Sequence, residues 1–231
     1  MHRKRWAGVA ALVGLLALGL AWWIRQPPPP EVVAQRVMEA IHKGDYQTLH
    51  AFTCVEERER VSEQQLQAVL DAMHRHFPML KQVSGNPVPY RPKLKAPTPM
   101  VPVQYCYSFF YKRAQGDTQL VACSFEESEL LWEKAYRGGL PEPYVELHVC
   151  VATSAQGRHR CALVVQALVI CMLQLSVYQQ RSEPEIRALL DEIFIRNGVR
   201  VAQFDTASGQ MRRLDAIRIF RKPDGKIGYT W

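Results

Sequence analysis

With 231 residues, 48% of them hydrophobic and 22% charged, the chain can bury one sizeable core, which excludes a disordered or low-complexity polymer. Its formal charge of +7 owes four units to Arg3, Lys4, Arg5 and Arg25, which flank a single apolar run; residues 31–231 hold 25 basic against 22 acidic side chains, a net of only +3. No lysine and arginine stripe with interleaved aromatics is present, so no nucleic-acid partner is expected.

Residues 6–24, "WAGVAALVGLLALGLAWWI", contain no charge. At ~1.5 Å per residue such a helix spans roughly 28 Å, close to the thickness of a bilayer's hydrocarbon core. The basic stretch "HRKR" before it predicts a cytoplasmic N-terminus, and Trp22 and Trp23 fall where an interfacial aromatic belt would lie. The expected organisation is a cytoplasmic tail at 1–5, a transmembrane anchor at 6–24, a proline-rich spacer at 25–30 and an extracytoplasmic domain at 31–231. The alternative is a signal peptide cut after Gly19-Leu20-Ala21, giving a secreted protein. Either route exposes six cysteines to an oxidising compartment.

The first helix is predicted over 31–43, with Val33, Val37 and Ile41 inward. Gly44 suits a left-handed helix end and Asp45 an N-cap, so a second helix carrying Tyr46, Leu49 and Phe52 starts at once at a sharp corner. "EERER" at 56–60 reads as a solvated connector. Ser62 and Gln65 form a capping box for a third helix, with Leu66, Val69, Leu70, Met73 and Phe77 on one face, stopped by Pro78. Seven prolines between 78 and 102 predict an extended arm or a sheet-edge segment.

From 103 the period becomes that of strands. "VQYCYSFFYKR" and "TQLVACSF" are predicted to form a hairpin, "EESELLWEKAYRGG" a short helix, and "YVELHVCVATSAQGRHRCALVVQALVICMLQL" a second, longer hairpin. Val164, Val165, Val169 and Ile170 favour a strand for its second arm, and apolarity on both faces predicts a central, covered strand or a subunit contact. A late helix over 183–197, opened by Ser182, Pro184 and Glu185 and closed by Asn197-Gly198, precedes strands at "VRVAQF", "RLDAIRIFR" and "KIGYTW".

The break at Ala40, Ile41, Lys43, Gly44, Asp45, Tyr46 and Leu49, followed by antiparallel hairpins and the tail "DAIRIFRKPDGKIGYTW", resembles the nuclear transport factor 2-like superfamily over about 31–175 and the last strands. The resemblance implies an α+β, cystatin-like cone: helices packed on a curved antiparallel sheet behind the transmembrane helix, leaving a conical pocket. The long arm at 78–102 and the extra late helix depart from that pattern and leave room for a separate C-terminal lobe at 183–231. Members of the superfamily include isomerases, dehydratases, ligand binders and non-catalytic scaffolds, so membership names no activity.

The candidate pocket residues are Tyr46, His50, Tyr105, Tyr107 and Phe109. If the second hairpin turns at Ala155-Gln156, Cys150 faces Cys161, which makes a cross-strand disulfide or two packed thiols; Cys106 and Cys123 are a second candidate pair. Cys54 and Cys171 read as small core residues. His148, Cys150, His159 and Cys161 would share one face and are a weak metal set, because the two histidines would lie roughly 14 Å apart at ~3.4 Å per step. No cofactor is implied, and H-E-x-x-H, G-x-S-x-G and P-loop signatures are absent. The expected function is a single-pass, membrane-anchored domain, held by residues 6–24, that binds a partner protein or a small apolar ligand without catalysis. The alternatives are a pocket enzyme of the isomerase or hydrolase kind using a histidine or carboxylate, and a structural stalk that forms a homodimer.

Overall fold

The computed structural model describes residues 26–91, 105–114, 119–153, 159–205, 210–213, 218–223, 225 and 227–230. The expected anchor at 6–24 lies outside them. Among the described residues no helix is long and apolar enough to cross a membrane.

The corner read from the sequence forms as expected. Helix α1 (Pro30–Lys43) buries Val33, Val37, Met38 and Ile41 and ends at Gly44, whose φ of 74° is left-handed. Asp45 then caps α2 (Tyr46–Phe52), its carboxylate accepting from Thr48 N at 3.0 Å and Thr48 Oγ1 at 2.6 Å. A third contact was not legible. His74, on α4 (Glu63–His76), donates Nε2–H to the Ile41 carbonyl at 2.7 Å and so satisfies one of the orphan acceptors at the end of α1. A Cβ on residue 44 would stand 3.2 Å from that ring. Gly44→Ala is therefore expected to cost about 1–2 kcal/mol, from left-handed strain and displacement of His74. A urea midpoint unchanged from wild type would refute this.

Between α2 and α4 runs a four-residue helix, α3 (Val55–Arg58). The capping box at Ser62 and Gln65 opens α4, and Pro78–Leu80 form one 3₁₀ turn after it. The arm then follows the sheet edge: Ser84 bridges Val121 and Tyr90 bridges Ser108.

The sheet is antiparallel, in the order β2-β1-β3-β4: β1 (Tyr105–Arg113), β2 (Leu120–Ala122), β3 (Tyr144–Thr153) and β4 (Arg160–Ala162). Along β1 and β3, Tyr107, Phe109, Tyr111, Val145, Leu147, Val149 and Val151 face the main core. Helix α5 (Phe125–Gly138), capped by Ser124, covers the opposite face, its Leu131 over Phe110 and Cys123. The fold is thus α+β, with helices on both faces of a four-stranded antiparallel sheet.

The expected long second hairpin is corrected. Its second arm is a strand for only three residues; Val164–Tyr178 form helix α6. Twelve of the fifteen residues of α6 are buried, on every side of the helix. A helix that is apolar all round is stable when it is surrounded, and β-branched preference for strands is weak beside burial. A strand of that length would also overrun the ten residues of β3. Two amides at the N-terminus of α6, Val165 N and Gln166 N, donate to the carboxylate of Glu57, which is 3% exposed; part of the expected solvated connector therefore lies inside the protein.

Helix α7 (Glu183–Leu190) is opened by the Ser182 and Glu185 capping box and continues as a π turn over Asp191–Ile195. Ile186, Leu189, Ile193, Phe194, Val199 and Val201 join the same core as α1, α4 and α6. Two hairpins complete the chain, β5 (Ala202–Asp205) with β6 (Gln210–Arg213), and β7 (Arg218–Arg221) with β8 (Ile227–Thr230).

The cysteine pairing also differs from expectation. The bridges are Cys54–Cys161 and Cys106–Cys150, while Cys123 and Cys171 are free and buried. The β3–β4 register sets Cys161 against Ala152, two residues from the expected partner, whereas the β1–β3 register sets Cys106 directly against Cys150. Cys123 sits beside Phe110, about 14 Å along the strand from Cys106 at ~3.4 Å per residue. Cys54 reaches Cys161 because residues 53 and 54 run along β4, Thr53 bridging Ala162 and Cys54 N donating to the Ala162 carbonyl. That neighbour is over a hundred residues away in sequence and invisible to periodicity.

Candidate interaction surface

None of the five residues expected to line a pocket borders either of the two clefts described below. Phe109 is fully buried, and Tyr107 is buried with its hydroxyl donating to Glu31 at 3.3 Å. Tyr46 and Tyr105 pack half-buried at the rim of the core, and His50 is half-buried on α2. Two open clefts lie elsewhere. One, of about 440 Å³, is lined by residues including Glu39, His42, Lys43 and Lys81; the other, of about 300 Å³, by residues including Arg36, Asp45 and Phe52. The space between helices and sheet is filled by Phe77, Phe109, Tyr111, Leu147 and Phe194.

The weak metal set is taken apart by the bridges. Cys150 and Cys161 belong to two different disulfides, so neither offers a thiolate. Among the described residues no group of three or more histidine, cysteine, aspartate or glutamate side chains could hold a metal ion. Burial pushes the free thiols of Cys123 and Cys171 up to about 12, which keeps both protonated and unreactive near neutral pH.

A polar group of another kind lies on the α5 side of the sheet. Ser108 Oγ stands 3.3 Å from His148 Nδ1, and His148 Nε2 stands 3.4 Å from Glu146 Oε1. In type, the three residues match a nucleophile, a base and its orienting acid. Ser108 is 0% exposed, however, and both its backbone groups are bonded to Tyr90, so no substrate reaches its hydroxyl. Burial alone would raise the Glu146 carboxyl, but His148 and Ser108 outweigh it and hold the group below its usual range. The cluster sets an imidazole beside a buried carboxylate.

What the described surface does present is aromatic. Phe125, Trp132 and Tyr136 recur at intervals of seven and four along α5, which places them on one helix face. Tyr90 from the arm joins them, its ring 5.7 Å from Phe125 and 6.2 Å from Trp132, and Trp132 lies 6.5 Å from Tyr136. The strip runs about 16 Å at ~1.5 Å per residue. Phe125 is 49% exposed and Tyr136 79%. Beside it lie the exposed carboxylates of Glu126, Glu129 and Glu133. The helix under it is firmly seated: Lys112 Nζ donates to both oxygens of Glu127, at 3.2 and 3.4 Å, and Leu131 packs on Phe110 and Cys123. The heptad-like spacing was present in the sequence; which side of α5 met the sheet was not.

Fold and surface together define a disulfide-pinned α+β domain with an aromatic outer helix. No protein-family model, curated protein or solved structure matches the chain.

Proposed function

We propose that this protein is a membrane-tethered, extracytoplasmic, non-catalytic domain that binds a partner protein through Phe125, Trp132 and Tyr136 on α5, with the buried Tyr90 ring beneath them. The observation that carries the reading is the pair of exposed aromatic rings, Phe125 and Tyr136, on the outer face of α5 with the half-buried Trp132 between them. Aromatic side chains dominate binding hot spots, and a contiguous exposed set of them on a soluble surface marks an interaction site. The two disulfides support an oxidising, extracytoplasmic or secreted setting, and the charge-free run at 6–24 supports the tether.

The test is a photo-crosslinking residue placed at position 136 in cells that make the full chain. A discrete adduct is expected there and not at the exposed Gln47. Phe125→Ser with Tyr136→Ser should weaken the isolated complex by about 100-fold or more, with the melting temperature unchanged, since each hot-spot truncation costs roughly 2 kcal/mol. An adduct only with a second copy of the chain would support the homodimeric stalk instead. Absence of any adduct at 136 would sink the partner reading.

A further inference from the structure

Two hydrogen bonds fix how α1 lies on the sheet. Near its start Glu31 accepts from Tyr107, and near its end His42 Nε2 is joined to the Tyr111 hydroxyl at 2.7 Å. Those points are eleven residues apart on the helix and four on the strand, about 16 Å and about 14 Å respectively. Helix and strand therefore run side by side in the same direction. Tyr105, two residues before Tyr107 on the same face, lies about 7 Å further on, beyond Glu31. That is the pole at which Pro27–Pro29 lead into α1.

This pole carries two arginines on one aromatic ring. The Arg91 guanidinium carbon lies 4.5 Å from the centre of the Tyr105 ring and that of Arg160 lies 5.8 Å from it. Arg91 is exposed and Arg160 half-buried. Nε and Nη1 of Arg160 are covered and have no hydrogen-bond partner. Among the described residues no carboxylate pairs with either guanidinium. Stacking holds the two guanidinium groups in place; the exposed Arg91 presents a planar fork of N–H donors that matches the oxygens of a phosphate, and Arg160 adds positive charge beside it.

We propose that Arg91, Tyr105 and Arg160 form a contact site for the phosphate groups of acidic phospholipids, seating this pole of the domain on the bilayer surface. The proposal rests on the tethered reading above. Only residues 25–29 separate Ile24, at the end of the apolar run, from Pro30 at the start of α1, so the pole stays within about 20 Å of that run however the spacer is arranged. The headgroup layer reaches about 5–8 Å beyond the hydrocarbon, and a tyrosine between cationic side chains is the composition such an interface attracts. Seated in this way, the domain has a fixed end near the lipid and carries α5 on the side of the sheet away from α1.

The experiment places the full chain in nanodiscs of phosphatidylcholine or of phosphatidylglycerol, each with a trace of lipid bearing a gadolinium chelate on its headgroup. Amide broadening is then read by NMR. Broadening at Arg91, Tyr105 and Arg160 is expected to be at least about threefold stronger in phosphatidylglycerol, while Trp132 is unaffected. Arg91→Glu, at an exposed position, should return it to the phosphatidylcholine level. Equal broadening in both lipids, with the chain still bound to the discs, overturns the lipid contact and leaves the tether standing. If polyglutamate shifts these amides in phosphatidylcholine discs without any lipid dependence, the pole belongs to an acidic protein and the proposal fails. A chain that elutes apart from both kinds of disc overturns the tether and the contact together.

Discussion

Replacing Cys54 and Cys161 together by alanine is expected to lower the melting temperature by about 10–15 °C. The bridge closes a loop of 107 residues and ties the α2–α3 junction to the edge strand β4. Cross-linking a loop of that size removes about 4–5 kcal/mol of chain entropy from the unfolded state. The second bridge, Cys106–Cys150, offers a shorter path through the unfolded chain, which brings the value to about 4 kcal/mol. For a chain of this length each kcal/mol moves the melting point by about 2–4 °C. Calorimetry on the double variant, with the second bridge kept oxidised, checks the number. A melting point within about 2 °C of wild type would show that the two cysteines do not constrain the chain as the fold requires.

Acid should destabilise the protein well above the range in which its carboxylates titrate. Burial, the largest influence, lowers the His42 pKa from 6.5 to about 4. Between those values the unfolded chain takes up a proton that the folded protein refuses, so stability falls as pH falls, and the contribution is fully present only above about 6.5. The whole window is worth about 3 kcal/mol at 1.36 kcal/mol per pKa unit, about 2 kcal/mol of it by pH 5. His74, whose pKa is also lowered by burial, acts in the same direction. Urea midpoints at pH 7 and pH 5 should therefore separate clearly for wild type, and the gap should shrink to the smaller His74 share for His42→Gln. A wild-type midpoint that does not move over this range would mean that His42 is protonated in the folded state.

These expectations sit differently with respect to the sequence. The corner at Gly44-Asp45, the capping boxes at Ser62 and Ser182, and the amphipathic faces of α1, α4 and α7 could be read directly, because each rests on contacts within a few residues. The same holds for residues 81–91 of the arm, where prolines forbid a helix and an interior strand; residues 92–102 of it lie outside the described residues. The exposed strip on α5 was half legible: its spacing is in the sequence, but whether that face meets the sheet or solvent is set by Leu131 and Lys112 docking onto β1 and its surroundings.

By itself, then, the sequence determined where α1, α2, α4, α5 and α7 lie, that the domain is α+β, and that an apolar run precedes it. Only the tertiary structure decided that "VVQALVICMLQLSVY" is a buried helix, that Cys54 meets Cys161, and that two arginines stack on Tyr105 at the pole where α1 starts. The physical reason is the same in each case. A run that is apolar throughout carries no periodic signal, so its form follows from what surrounds it. Strand register moves side chains by whole residues at little local cost, so pairings between distant segments are settled by the packing of the complete core.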